Sequence, residues 1–299
     1  MDSPGLRTSD FVVRRAGRND PPHDRIRLHV VREGTGPPVI LLHGFPEFWY
    51  SWRNQIAPLA AAGYAVSAPD MRGFNLSDKP QGVEHYAIDH LVADVAALVE
   101  ATGLPRAHIV GHDWGGLVAW FVAARRPDIV DTLSIINAPH PTIYGRGLWR
   151  TRQWFKSFYV PVFMTPWLAE VLISAGGYFL LRQMFTRGAG RRGVFSDQDM
   201  ARYVEAAARP GALTSGLNYY RANARLGFRA EPLPRIDSPT LVIWGERDPA
   251  LGVELLNGLD EMVSDLRIER LPGVGHWVQS EAPDAVTALL LSHFAPTRT

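Results

Sequence analysis

The sequence predicts an α/β fold: a mostly parallel central sheet, helices on both faces, and one inserted helical block. Three observations predict it. Short apolar runs alternate with amphipathic, helix-length segments over the first half of the chain and again near its end. Some of these runs are apolar throughout, Pro38 to Leu42 most clearly, as a parallel strand covered on both faces must be. From about His140 to Leu233 the alternation lapses into sequence rich in Trp, Phe, Tyr and Arg, with helical spacing and no convincing strand.

In chain order, Arg25 to Arg32 alternates apolar and polar and reads as a strand near a sheet edge. Pro38 to Leu42 is the first buried strand and runs into the loop His43-Gly44-Phe45-Pro46; a helix follows over about Trp49 to Ala61. Tyr64 to Ala68 is the next strand, ending at Pro69-Asp70-Met71-Arg72-Gly73. Asp89 to Thr102 has i, i+3, i+4 apolar spacing and predicts a helix capped by Asp89. His108 to Val110 is a strand, Gly115 to Arg126 a helix, and Val130 to Ile136 another strand. After the insertion come a strand at Thr240 to Trp244, a helix near Gly252 to Leu259, a strand at Leu266 to Leu271 and a helix from about Pro283 to Phe294. Such alternation implies right-handed crossovers and a parallel sheet. The division is a core of residues 1–139 and 234–299 carrying a helical cap of residues 140–233. A cap there stands above the carboxyl ends of the strands, where open α/β sheets bind ligands.

Bulk composition narrows the function by exclusion. The 299 residues are 46% hydrophobic and 20% charged, ordinary for a globular enzyme. A net charge of +1 gives no reason to expect nucleic acid as a partner. With no cysteine there is no disulfide, thiolate metal site or Cys nucleophile, and no cluster has metal-ligand spacing; neither metal nor cofactor is expected. The polar N-terminus without a signal-peptide core points to the cytoplasm, as a monomer or homodimer. Ser157 to Leu181 is long enough to span a bilayer and carries Glu170 as its single charge. Pro161, Pro166 and Gly176-Gly177 would break such a span, so a pair of short helices in a lid is expected. The arginines of the cap, among them Arg146, Arg150, Arg182, Arg187, Arg191 and Arg192, read as a solvated helix face.

The chemistry centres on Val110-Gly111-His112-Asp113-Trp114-Gly115-Gly116, a strand-to-helix turn with glycines two residues either side of Asp113. Such a turn holds its central residue in strained backbone geometry at the positive end of a helix. Two more titratable residues follow later strands on the same sheet edge: Asp248 in Gly245-Glu246-Arg247-Asp248-Pro249, and His276 in Pro272-Gly273-Val274-Gly275-His276-Trp277. The order nucleophile, acid, histidine is that of the α/β-hydrolases. A carboxylate attacking a carbonyl would give an anhydride, so an Asp nucleophile suits displacement at an sp³ carbon and an alkyl-enzyme ester. His276, oriented by Asp248, would then activate water against that ester. The resulting oxyanion needs two N–H donors, which the fold assigns to Trp114 and Phe45. His43, Pro46, Trp114, Tyr219 and Trp277 are expected around the substrate; His43, His112 and His140 also read as loop-ordering residues.

Taken together, the motifs resemble the α/β-hydrolase-fold epoxide hydrolases, with close relatives among the haloalkane and fluoroacetate dehalogenases. His43-Gly44-Phe45-Pro46 is similar to the family's HGxP loop, whose Phe-Pro bond is typically cis. Arg72-Gly73-Phe74-Asn75-Leu76-Ser77-Asp78 resembles its RGxGxS(D) segment, with Asn75 in place of Gly. Asn137-Ala138-Pro139-His140-Pro141 resembles its NxPHP entry into the cap. The resemblance implies two cap tyrosines that protonate the opening epoxide: Tyr159, in a segment similar to SWY...F..P, and Tyr220, in one similar to xNWYR. It further implies a small apolar epoxide and water as the reactants. A haloalkane dehalogenase with the same Asp-His-Asp set, and a non-catalytic ligand-binding protein of this fold, are the alternatives. Phe45 stands where many haloalkane dehalogenases carry a halide-binding Asn, and Trp114 where fluoroacetate dehalogenases carry an Arg.

Overall fold

The computed structural model describes residues 7–14, 25–147, 160–224 and 233–295. Eight strands among these residues form one sheet: β1 (Arg7–Arg14), β2 (Ile26–Glu33), β3 (Pro38–Leu42), β4 (Ala65–Pro69), β5 (Ala107–His112), β6 (Val130–Ile136), β7 (Thr240–Gly245) and β8 (Leu266–Leu271). Their spatial order is β1-β2-β4-β3-β5-β6-β7-β8. Every pair from β4 to β8 is parallel, while β2 runs antiparallel to both β1 and β4. The predicted α/β class is therefore the observed one. Ile26–Glu33 lies near an edge as expected, with β1 pairing along its outer side. Arg7–Arg14 has only the short apolar run Phe11-Val12-Val13 to announce it and is held by pairing with β2, which sequence periodicity does not register.

Helices cover both faces. Trp49–Trp52 is a 3-10 turn leading into α1 (Arg53–Ala61); α2 is Ile88–Glu100 and α3 Trp114–Arg125. The N-cap of α2 is Ala87, not Asp89. Asp89 lies within the first turn, where its carboxylate favours the helix dipole and meets Arg125 of α3. The side chains split into two buried groups across the sheet. Leu28, Ile40, Val95 and Trp120 lie on one side; Val39, Leu41, Trp52, Leu241 and Leu290 lie on the other. β3, β5 and β7 are buried at every position, which accounts for the apolar runs Val39 to Leu42, Ile109 to Val110 and Leu241 to Trp244 within them.

Between β6 and β7 the described residues form helices and no strand: α4 (Pro141–Gly147), α5 (Val160–Met164), α6 (Leu168–Gly188), α7 (Asp197–Ala208) and α8 (Ala212–Asn223). α6 breaks where the Gly pair predicts, with Gly176, Gly177 and Tyr178 all at positive φ. No described helix is long and apolar enough to cross a membrane. α7 opens with a reciprocal capping box between Ser196 and Asp199. The same Asp199 binds Tyr50 at 2.9 Å and Arg53 at 3.2 Å, joining α7 to the sheet-bearing part of the chain. After β7, the helix expected near Gly252 to Leu259 proves to be a 3-10 turn, Val253–Leu256, and α9 (Leu259–Met262). Gly258 at φ +83° divides them. Two further helices, α10 (Val278–Glu281) and α11 (Pro283–Phe294), close the fold.

Candidate active site

β5 delivers Asp113 into α3 with φ +50° and ψ −118°. A non-glycine residue there costs about 1–3 kcal/mol, a strain kept only where the surroundings enforce it. They do so through close backbone approach. A Cβ on Gly115 would lie 2.3 Å from the Leu42 carbonyl oxygen, and one on Gly44 would lie 2.5 Å from Cβ of Asp113. Glycine at both positions lets the ends of β3 and β5 close around the turn.

The Asp113 carboxylate sits between two backbone donors. The Phe45 N–H donates to Oδ2 at 2.9 Å, and the Trp114 N–H also bonds the carboxyl group. Oδ1 faces Nε2 of His276 at 3.9 Å. Burial raises the Asp113 carboxyl above its ordinary value; nearby His276 and His112 and the two N–H donors offset this only in part. Phe45 itself is buried, with the Phe45-Pro46 bond cis. Its ring meets Phe163 and Tyr220 edge-on at 5.6 and 5.7 Å.

His276 and Asp248 arrive from the loops after β8 and β7. Nδ1 of His276 donates to Oδ2 of Asp248 at 2.7 Å. The remaining acceptor positions of Asp248 are filled by the Ala250 and Leu251 N–H groups at 2.7 and 2.9 Å and by Asn137 Nδ2 at 2.7 Å. Burial works against its charge, but His276, Asn137 and Leu251 outweigh that and hold its carboxyl below the usual range. Burial likewise opposes charge on His276; the Asp248 carboxylate, supported by Asp113 and Glu47, overrides it and pushes the imidazole up to about 9. The imidazole thus lies between the carboxyl groups of Asp248 and Asp113.

Asn137 comes from the NxPHP segment at the end of β6, and its own φ is +37°. Its Oδ1 accepts from the Gly245 N–H at 2.7 Å, so one side chain fixes the β7 exit and Asp248 together.

A layer the motifs did not expose lies behind these groups. Glu47 Oε2 binds His112 Nδ1 at 2.7 Å and accepts from the Gly44 N–H at 2.9 Å; Oε1 accepts from Gln279 at 2.9 Å. Nε2 of His112 faces the His276 carbonyl oxygen at 2.9 Å, so both ring nitrogens have oxygen partners. Burial disfavours the Glu47 charge, yet His112 and the hydrogen bonds pull its carboxyl down to about 2. Glu281 accepts from the Gly275, Trp277 and Gly190 N–H groups, tying the histidine loop to the end of α6. The one sequence signal is general: a histidine in a buried strand such as β5 requires a buried partner, without saying which.

The expected pocket residues divide. Trp114 and Tyr220 are half-buried and meet edge-on at 4.9 Å, with Phe163 5.1 Å from Tyr220. His43 is fully buried: Nε2 accepts from the Met71 N–H at 2.9 Å, leaving Nδ1 to donate to the Gly44 carbonyl at 2.8 Å. Tyr219 is equally buried and donates its hydroxyl to the Arg72 carbonyl at 2.7 Å. These two shape the loop rather than face a ligand, because their polar atoms are committed to backbone. Pro46 is buried beneath the loop, and Trp277 is stacked on Phe185 of α6 at 4.6 Å beside His276. Tyr159 lies outside the described residues.

Comparison with known proteins agrees with this architecture. Residues 37–283 match the model of the alpha/beta hydrolase fold family. The AB hydrolase superfamily protein YfhM of Bacillus subtilis (strain 168) is 40% identical over 90% of this chain and 94% of its own. Epoxide hydrolase 4 of Homo sapiens is 35% identical over 89% of this chain and 75% of its own. The crystal structure of Bacillus megaterium epoxide hydrolase in complex with an inhibitor superposes with a TM-score of 0.83 at 31% identity, covering 90% of this chain and 96% of that one. With the family model spanning most of the chain and relatives of this kind at such identities, the chain belongs to the α/β-hydrolase family and, within it, to the epoxide hydrolases.

Proposed function

We propose that the enzyme adds water to an apolar epoxide through a covalent ester on Asp113, giving a vicinal diol. The observation that carries this reading is the asymmetric setting of one carboxylate: Oδ2 accepts from the Phe45 N–H at 2.9 Å, while Oδ1 faces Nε2 of His276 at 3.9 Å. Oδ1 attacks an epoxide carbon in line, the C–O bond breaks, and the ring oxygen takes the proton of the Tyr220 hydroxyl. Tyr220 fits this role through its place in the aromatic wall with Trp114 and Phe163; Tyr159 joins it on sequence resemblance alone. The apolar lining favours an apolar substrate.

Ester formation removes the Asp113 charge, one of the groups that hold the proton on His276. His276 then gives up its Nε2 proton, and the same proton count restores the Tyr220 phenol, so the two groups end the step neutral. Neutral His276 removes a proton from water as the water oxygen attacks Cγ of Asp113. The negative charge develops on Oδ2, held by the Phe45 N–H, with the Trp114 N–H also bonded to the carboxyl group. On collapse the Cγ–Oδ1 bond breaks, the departing diol oxygen takes the proton from His276, and the water oxygen stays in the carboxylate.

Diol formation from a panel of aliphatic and aromatic epoxides, with no halide release from haloalkanes, tests the activity. Tyr220→Phe is expected to slow pre-steady-state ester formation by roughly 10²-fold or more, the scale of general acid catalysis, and to leave ester hydrolysis nearly unchanged. Slower ester hydrolysis with normal ester formation would remove Tyr220 from the acid role.

A further inference from the structure

The first half of α6, Leu168 to Ser174, is apolar on two opposite sides. Ala169 and Ile173 point inward and are buried, whereas Leu168, Val171 and Leu172 are exposed. A helix apolar all round is normally covered all round. Exposed apolar side chains flank it on both sides in the same stretch of chain: Trp167 is 83% exposed, Val171 62% and Phe179 58%, followed by Leu180. Most of the large exposed apolar side chains among the described residues lie in this one stretch. An apolar surface of this concentration marks an interaction site.

No free charge interrupts the patch. Its single ionised residue, Glu170, is bound by both Arg221 terminal nitrogens at 2.7 and 2.9 Å, and the Ser174 hydroxyl is turned onto the Glu170 carbonyl at 2.7 Å. Charge resumes immediately beyond it with one sign. From Val171 to Ser196 the sequence carries Arg182, Arg187, Arg191 and Arg192 and no acid. None of these four has a carboxylate partner among the described residues. An exposed Trp, Phe and Leu face followed by unneutralised arginine is the pattern of a segment that lies in a lipid interface. A symmetric pairing of two copies fits less well, because it would bring like arginine-bearing stretches together without an acid to offset them.

We propose that the patch Trp167–Leu180 seats the enzyme on an anionic lipid surface, lying in the interface and not spanning it. The patch is continuous with the wall of the candidate site, since Arg221, which grips Glu170, adjoins Tyr220, and the Phe163 carbonyl accepts from Arg221 at 3.2 Å. Contact with lipid would thus place the entrance beside the phase where apolar molecules collect. The binding does not depend on the assigned activity.

The test is co-sedimentation of the full chain with vesicles of phosphatidylcholine, with and without phosphatidylglycerol. Expected is partition onto the anionic vesicles that weakens with salt and falls at least tenfold in the double variant Trp167→Ser with Phe179→Ser. Substituting Gln at Arg182, Arg187 and Arg191 should remove the preference for the anionic lipid. Thermal melting of each variant reports whether it is folded; an unchanged Tm is expected for exposed positions. Absence of wild-type partition, or partition unchanged in the folded double variant, would overturn the proposal. So would a dimer by light scattering that the double variant dissociates, with no vesicle binding. Diol formation in vesicle-free buffer is measured separately, so failure of the activity and failure of lipid binding are told apart.

Discussion

Asp113→Ala is expected to lower epoxide turnover by roughly 10⁴-fold or more, the scale of losing a catalytic nucleophile. The same variant should melt at the wild-type temperature or above it. Burial raises the Asp113 carboxyl, so the folded state disfavours its charge at neutral pH; removing the carboxylate relieves that cost. Lost activity at preserved or raised stability separates a functional carboxylate from a structural one. Steady-state kinetics with a thermal melt would check both halves; loss of fold would contradict the second.

Glu47→Gln is expected to give the largest change in stability, about 3–5 kcal/mol, the usual cost of removing one partner of a buried ion pair. Glu47 and His112 are both almost wholly buried and meet at 2.7 Å, and the change leaves His112 without its carboxylate. The pH dependence follows from the sign of the shift. The Glu47 carboxyl falls from 4.5 to about 2 on folding, so its contribution is fully present above pH 4.5 and is lost as pH falls toward 2. His276 is opposite: raised from 6.5 to about 9, it contributes fully below pH 6.5 and loses that as pH rises through 9. Denaturant titrations at pH 7 and pH 3 should show the gap between wild type and Glu47→Gln narrowing in acid. A constant gap would mean the loss is one of shape and not of charge.

Those two residues also show where sequence reading succeeds and where it stops. Asp113, Asp248 and His276 were legible because each follows a strand on one edge of a parallel sheet, and that topology can be read from apolar runs. Phe45 and Trp114 followed because the donors in such a turn are backbone groups, indifferent to side chain. Glu47 and His112 stand 65 residues apart, and nothing local couples them. Their pairing becomes visible only once β3 and β5 lie side by side. Glu281 was hidden for the same reason, since its partners are backbone N–H groups of the histidine loop and of the end of α6. His43 and Tyr219 were placed near the ligand by motif proximity, whereas burial and backbone hydrogen bonds make them loop supports. The described residues between β6 and β7 were legible as helical, with the break at Gly176-Gly177 in place, because glycine pairs interrupt helices irrespective of tertiary context.

The ester on Asp113 is the central claim, and His276→Gln examines it most directly. Without the imidazole, attack on the epoxide remains but activation of water does not, so the intermediate should accumulate. Intact-mass spectrometry after incubation with an epoxide should show the protein heavier by one substrate molecule, and digestion should place that mass on the peptide containing Asp113. Diol production with no adduct, or an adduct on a different peptide, would contradict the mechanism.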